Sequence, residues 1–430
     1  MADEIMRITG GTPVRGETTV QGAKNSVLPI MAAAMLCQGE TVLTNVPQLS
    51  DVYAASRILN RLGAHCTPDG HTVTINAADI CRAEIPDADM RAMRSTIMFM
   101  GPLLGRMRQC TLTRPGGCAL GARPINLHLD AMEKMGVIIR CTGEQIVCTA
   151  DKLHGARIPL AFPSVGVTEN VIMAAVLAEG ETVLTNAARE PEIADLAGYL
   201  NRCGAKIRGA GEGTIVIEGV PQLHAAEYRI MPDRIAAMTW LCAAAASRGS
   251  ITLRDVRTGD LENCLDLLRR AGCKLGECDG TLFLDAGGVL RSIREIVTMP
   301  YPGFPTDAQA LLMAVLATAH GTSVFDETIF EDRYKHAGEL VRMGADIRIK
   351  GTAAVVEGVH CLHGAYVEAM DLRGGAALAV AAAGAEGQTV LHGLHHIDRG
   401  YDHFAEVFNS LGIRTERMVI STSSRGKTSA

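Results

Sequence analysis

The sequence predicts an α/β fold of two similar domains, each made of three copies of one unit of roughly 70 residues. Three observations predict it. Six short glycine motifs recur: RLGA at Gly63, KMGV at Gly136, RCGA at Gly204, RAGC at Gly272, RMGA at Gly344 and SLGI at Gly412. They lie 68 to 73 residues apart and nearly fill the 430-residue chain. A short β-like segment precedes the helix that each glycine ends, and in five of the six units a much more apolar stretch precedes that segment.

Within a unit the elements follow in order. The apolar stretch comes first, as in NSVLPIMAAAMLCQG, ENVIMAAVLAEG and AALAVAAAGAEG. A helix that is apolar all round must be enclosed on every side. STIMFMGPLLGRM has the same character but contains Gly and Pro. A strand follows: ETVLTNV, QCTLTRP, ETVLTNA, SITLRDV, TSVFDET or QTVLHGL. Then comes an amphipathic helix, such as DVYAASRILNRLGA or EIADLAGYLNRCGA, with apolar residues at helical spacing. Its glycine suits a left-handed cap, and the Lys or Arg two residues earlier, present in five of six, meets the helix dipole. A strand or hairpin such as HTVTINA or TIVIEGV closes the unit. Three units would bury three apolar helices at a centre, with sheets and outer helices around them. The expected domains are residues 23–231, and residues 1–22 with 232–418, dividing near Met231 to Arg234. The early strand GETTVQG crosses back to complete the second, and residues 419–430 form a polar, disordered tail. A single large sheet with helices on both faces also fits this pattern.

Composition narrows the function. A chain of 430 residues exceeds one ordinary core, so two domains of about 200 residues are expected. The net charge of −6 gives no basic field, so no nucleic-acid partner is expected and any anionic ligand must be met by local cations. MADEIMRITGG is charged and lacks the apolar stretch of a signal peptide, and no run of about 18 apolar residues would insert in a membrane. The thirteen cysteines are scattered without paired zinc-site spacing, which reads as reduced thiols in a cytoplasmic protein. No Walker motif and no GxGxxG after a strand occurs. Adjacent His395 and His396 lack ligand spacing, so neither a metal nor a cofactor is expected.

Polar residues gather where the apolar helices start: Lys24-Asn25, Arg94-Ser95, Ser164-Val165-Gly166, Asp233-Arg234, Thr306-Asp307 and Asp371-Leu372-Arg373. Ser, Asp and Thr there read as N-caps. Four of the six starts also carry a cation. A cation beside a positive helix end costs energy unless an anion binds there. Arg123, Arg189, Arg333 and Arg399 lie in connections after strands, where a guanidinium suits a carboxylate or phosphate. Glu331 with Arg333 reads equally as a structural ion pair. Residues 114–124, RPGGCALGARP, hold Cys118 among glycines and prolines that exclude helix and strand.

The ordered set GAKNSVLP, MRSTIMFMGPL, RPGGCALGARPINLH, FPSVGVTEN, NAAREPEI, FPTDAQA, IFEDRY, DLRGGAAL and HIDRGY resembles the motifs of the UDP-N-acetylglucosamine enolpyruvyl transferases, within the EPSP synthase superfamily. The likeness runs from about residue 5 to about 417. It implies an inside-out α/β barrel of two domains, each of three βαβαββ units. It implies that the enolpyruvyl group of phosphoenolpyruvate passes to the 3-hydroxyl of UDP-N-acetylglucosamine with release of phosphate, the committed step of peptidoglycan synthesis. Lys24, Arg123 and Arg399 match positions that bind phosphoenolpyruvate, Arg94 a substrate contact, and Arg373 a further arginine near the site. Asp307 matches the base at the sugar hydroxyl, with Asn25 positioning the sugar. Cys118 matches the proton donor and the thiol alkylated by fosfomycin, in a loop that suits a lid. Arg123, Pro124, Ile125, Asn126, Leu127 and Ile329 match the lining of the sugar-nucleotide pocket, as do Ser164 and Val165. Ser50 and Phe162 stand where some members have lysines toward the uridine diphosphate. The shikimate-pathway relative, 5-enolpyruvylshikimate-3-phosphate synthase, shares fold and chemistry but lacks the PGGC loop. A non-catalytic paralogue is disfavoured because Lys24, Cys118, Asp307 and Arg399 are all present.

Overall fold

The computed structural model describes residues 3–93, 95–113 and 125–420. Among them, one compact unit runs to Gln21 and resumes at Pro232, and the other spans Gly22 to Met231.

The glycines do what their spacing predicts. All six adopt positive φ, between 88° and 106°, the left-handed region in which a Cβ is penalised. The six β-like segments are strands: Glu40–Thr44, Gln109–Thr113, Glu181–Thr185, Ser250–Arg254, Thr322–Asp326 and Gln388–His392. Along Glu40–Thr44, Val42 and Thr44 are half-buried while Thr41 and Leu43 face the core, the period-two alternation of a sheet with one buried face. Each of the six has a parallel neighbour on one side and an antiparallel one on the other. Glu40–Thr44, for example, lies between Glu227–Arg229 and Thr72–Asn76. At Gln109–Thr113 the parallel neighbour shrinks to a single bridge, Glu84 to Thr111. Among the described residues the result is a set of small sheets of two to four strands, the four-stranded ones mixed or largely antiparallel, and not one large sheet.

The chain start supplies two strands to the unit that resumes at Pro232. Asp3–Thr9 lies between Gln388–His392 and Arg414–Ile420, antiparallel to both, and Arg15–Thr19 runs parallel to Ser250–Arg254. The last strand extends to Ile420, two residues into the expected tail, because Val419 and Ile420 pair with Glu4 and Asp3. Residues 421–430 lie outside the described residues.

The apolar helices form the cores. Arg234–Ala246, Thr306–Leu316 and Leu372–Gly384 pack against one another in one unit. Gly384 permits close approach, since a Cβ there would sit 2.3 Å from the Ala246 carbonyl oxygen. In the other unit Met100–Met107 packs on Val165–Ala175. Gly and Pro leave their mark on STIMFMGPLLGRM, which is a 3-10 turn, Thr96–Phe99, leading into the α-helix Met100–Met107 with Pro102 in its first turn, where a missing N–H is harmless. Lys24–Ala33 contains Pro29, which cannot return a hydrogen bond to the Asn25 carbonyl. Among the described residues no helix is long and apolar enough to cross a membrane, and none of the twelve cysteines is in a disulfide.

Candidate active site

In the unit that resumes at Pro232, three helix starts hold the charged residues. Asp233 caps Arg234–Ala246, its Oδ1 accepting from the Ile235 and Ala236 N–H groups at 2.8 and 3.0 Å. Asp371 caps Leu372–Gly384, accepting from the Arg373 and Gly374 N–H groups at 3.0 Å each. Both satisfy donors that a helix start leaves open. Thr306–Leu316 follows Pro305 without a side-chain cap, and the Thr306 hydroxyl donates instead to Glu327 Oε2 at 2.9 Å.

Asp307, in that helix's first turn, divides its oxygens between two arginines. Oδ1 accepts from Arg333 and Oδ2 from Arg373, each at 3.0 Å. Both arginines are 3% exposed, whereas 30% of the Asp307 side chain stays open. Burial alone would raise the Asp307 pKa, but the Arg373 and Arg333 guanidiniums overrule it and hold the carboxyl well below its usual range. Arg333 also donates from Nε and Nη2 to the Thr306 carbonyl at 3.2 and 2.9 Å, and it lies 3.9 Å from Asp371. Glu331 is exposed and is not its partner, so the ion pair within IFEDRY does not form.

Tyr401, from the HIDRGY segment, accepts from Arg373 Nη1 at 3.2 Å. Gly400 lets that segment close on Leu372–Gly384, because a Cβ would meet Leu372 Cδ2 at 2.6 Å. Gln21 fastens it, donating to the Gly400 carbonyl at 3.1 Å and accepting from the Asp402 N–H at 2.8 Å. Arg399 is half-buried on the 3-10 turn Leu394–Arg399. Ile329 is half-buried, with its N–H donated to Glu327 Oε1 at 2.9 Å. Glu327 therefore supports Ile329 with one oxygen and the start of the Asp307 helix with the other.

In the unit Gly22 to Met231, Lys24 opens the helix Lys24–Ala33 with Nζ 3.0 Å from Asp51 Oδ2. Asn25 follows it, half-buried. A second group forms where Asn126–Lys134 packs on Val165–Ala175. Ser164 caps the latter, its hydroxyl accepting from the Val167 N–H at 3.5 Å. His128 lies against Gly166, where a Cβ would meet its Cε1 at 3.3 Å. The Asn170 amide oxygen takes the Gly101 N–H at 2.6 Å, so its NH2 group faces His128 Nδ1 at 2.9 Å and donates to it. Burial pushes the His128 pKa down to about 4, so the ring is neutral. Ile125 and Leu127 are half-buried and Asn126 is exposed at the start of the helix that carries His128. Nearby on the same helix, burial and then the Glu192 and Glu190 carboxylates push Glu169 up to about 8.

Arg94, Cys118, Arg123 and Pro124 lie outside the described residues. The cations at the helix starts call for anions, and in this structure carboxylates of the chain itself answer: Asp51 at Lys24 and Asp307 at Arg373. Asp51, Gln21, Tyr401 and His128 were not among the expected site residues. Each makes its contact with a residue far away in sequence, which no local pattern signals.

The chain matches the family model described as EPSP synthase (3-phosphoshikimate 1-carboxyvinyltransferase) over residues 8–408. It is 47% identical over 413 residues to the UDP-N-acetylglucosamine 1-carboxyvinyltransferase 2 of Caldanaerobacter subterraneus subsp. tengcongensis, covering 96% of this chain and 99% of the relative. It is 46% identical over 413 residues to the UDP-N-acetylglucosamine 1-carboxyvinyltransferase of Nitratidesulfovibrio vulgaris (strain Miyazaki F), covering 96% and 98%. Among solved structures, the enolpyruvyl transferase NikO from Streptomyces tendae superposes with a TM-score of 0.88 at 26% identity, covering 98% of this chain and all of that one. EPSP synthase from Acinetobacter baumannii, at 20% identity and a TM-score of 0.73, covers 97% of this chain and all of its own, and shows the shared fold. By the extent of the family match and by its identity to these relatives, the chain belongs to the EPSP synthase family and, within it, to the UDP-N-acetylglucosamine 1-carboxyvinyltransferases.

Proposed function

We propose that the protein transfers the enolpyruvyl group of phosphoenolpyruvate to the 3-hydroxyl of UDP-N-acetylglucosamine, releasing phosphate, as the committed step of peptidoglycan synthesis. The observation that carries this reading is its near-full-length identity to enzymes of that name. In the reaction, the Cys118 thiol protonates the methylene carbon and C2 becomes electrophilic. The sugar oxygen adds to C2 while its proton passes to Asp307, giving a tetrahedral ketal. Phosphate then leaves, and a proton is lost from the new methyl group to restore the double bond. Lys24, Arg123 and Arg399 bind phosphoenolpyruvate, Arg94 and Arg373 contact substrate, and Asn25 positions the sugar. Arg123 to Leu127, Ser164, Val165 and Ile329 line the nucleotide pocket. No cofactor or metal is needed.

Clamped by two arginines, Asp307 is a weak base. An anionic substrate that draws Arg373 or Arg333 away would raise its proton affinity, so substrate binding and base strength are linked. The same reading takes the fold as an inside-out α/β barrel of six βαβαββ units, with domains of residues 23–231 and of 1–22 with 232–418. The six left-handed glycines and the strand pairings of the chain start support it.

Phosphate release from phosphoenolpyruvate is the test. Turnover is expected with UDP-N-acetylglucosamine and not with shikimate 3-phosphate. The reverse result overturns the substrate assignment, and binding of the sugar nucleotide without turnover would indicate a non-catalytic paralogue.

A further inference from the structure

Behind Asp307 and Arg373 runs a hydrogen-bond chain whose direction can be worked out. The Thr239 hydroxyl donates to the Ile235 carbonyl at 2.8 Å, which uses its only proton. Tyr401 Oη lies 2.8 Å from Thr239 Oγ1 and must therefore be the donor there. Its lone pairs are left for Arg373 Nη1, which donates at 3.2 Å. Arg373 Nη2 donates in turn to Asp307 Oδ2 at 3.0 Å. The two hydroxyl hydrogens each have one acceptor, Arg373 gives one hydrogen to Tyr401 and one to Asp307, and Thr239, Tyr401 and Arg373 are each at most 3% exposed. Trp240 and Phe404 wedge the phenol, with ring centroids 5.8 and 5.3 Å from it. The Tyr401 oxygen therefore cannot follow Arg373 if the guanidinium moves.

We propose that Tyr401, fixed by Thr239, is a positioning residue that sets the place of Arg373 and, through it, the orientation and proton affinity of Asp307. This rests on the function proposed above. A neutral phenol suits the task. Burial raises its pKa against the pull of Arg373, so it stays protonated and does not compete with Asp307 for the guanidinium. Among the described residues, the other charged or titratable groups that act on the network are Asp233, Arg234, Arg333, Asp371 and His336. Asp233 and Arg234 stand at the start of the helix that carries Thr239, Asp371 at the start of the one that carries Arg373, and Arg333 and His336 come from the segment leading into Lys335–Arg342 and from that helix; Tyr401→Phe leaves them all in place.

The test compares steady-state kinetics across pH for the wild type, Tyr401→Phe, Thr239→Val and Phe408→Leu. It adds an NMR titration of the Asp307 carboxyl carbon, assigned with Asp307→Asn. Tyr401→Phe should lower kcat/KM roughly tenfold, with the loss in kcat, as expected for a hydrogen bond to a charged group. With Arg373 loosened, the Asp307 pKa should rise, moving the acid limb of the profile to higher pH. Thr239→Val should shift it the same way by less. It leaves the aromatic packing whole, so it carries the test if Tyr401→Phe fails to fold. Phe408→Leu disturbs the aromatic cluster without touching a hydrogen bond and should leave the Asp307 titration unchanged. Wild-type titration in both Tyr401→Phe and Thr239→Val, or the same shift in Phe408→Leu, overturns the proposal. A wild type without turnover overturns the function instead, and the NMR titration still decides the positioning.

Discussion

Asp307 remains an anion because two buried guanidiniums reach it from different segments of the chain, one at each oxygen. With its folded pKa depressed, its pairing stabilises the protein above the usual carboxylate range and is lost only as pH falls through the lower folded value. Titration of Asp307 in the ligand-free protein therefore does not set an acid limit near neutrality. In the reaction proposed above, the other half of the proton traffic is assigned to Cys118. Cys118→Ser should lower turnover at pH 7 by at least about a hundredfold, since the loss of general acid catalysis removes a factor of that order. Fosfomycin should inactivate the wild type and leave its label on Cys118 in peptide mapping. Full activity of the serine variant, or a label on another cysteine, would refute the acid role.

At the scale of elements, the repeated glycines give a graded prediction. Gly63 and Gly204 both have left-handed φ, at 106° and 99°. A Cβ at Gly204 meets nothing closer than His224 at 3.4 Å, whereas at Gly63 it would lie 2.5 Å from the Asp79 carbonyl oxygen. Gly204→Ala should cost about 1–2 kcal/mol, the penalty of the left-handed conformation alone. Gly63→Ala should cost clearly more in the same urea titration, and equal costs would mean that the chain gives way at Asp79. The helix Val165–Ala175 contributes a pH dependence. Glu169 titrates near 8 in the fold, well above an unfolded glutamate, so the folded state binds more protons between about pH 4.5 and 8 and stability falls as pH rises through that window. Glu169→Gln should therefore raise the melting temperature at pH 8, by on the order of 5 °C, and change it little at pH 4.5. An equal effect at both pH values would show that Glu169 is not held protonated.

For the whole molecule, the chain start is a structural part of the unit that resumes at Pro232. Asp3–Thr9 fills the gap between two strands, and Ile8 is wholly buried. Deleting residues 1–10, or introducing Ile8→Asp at a cost of about 3 kcal/mol or more, should destabilise that unit in urea denaturation. An unchanged midpoint would show that the strand contributes little. Much of this architecture is legible in the sequence because it is local. A left-handed glycine, a strand with alternate residues buried and a helix apolar all round each leave a periodic mark on neighbouring residues, and repetition makes the mark readable. The helix starts are legible for the same reason, as Asp233 and Asp371 show by capping where their positions predict. The sequence by itself thus determined the α/β elements, their order and the places where polar residues gather. Only the tertiary structure decided who pairs with whom: Lys24 with Asp51, Arg333 with Asp307 and not with Glu331, Tyr401 between Thr239 and Arg373. A charge in low dielectric is governed by its nearest opposite charge in space, and packing chooses that neighbour from residues that can be far apart in the chain.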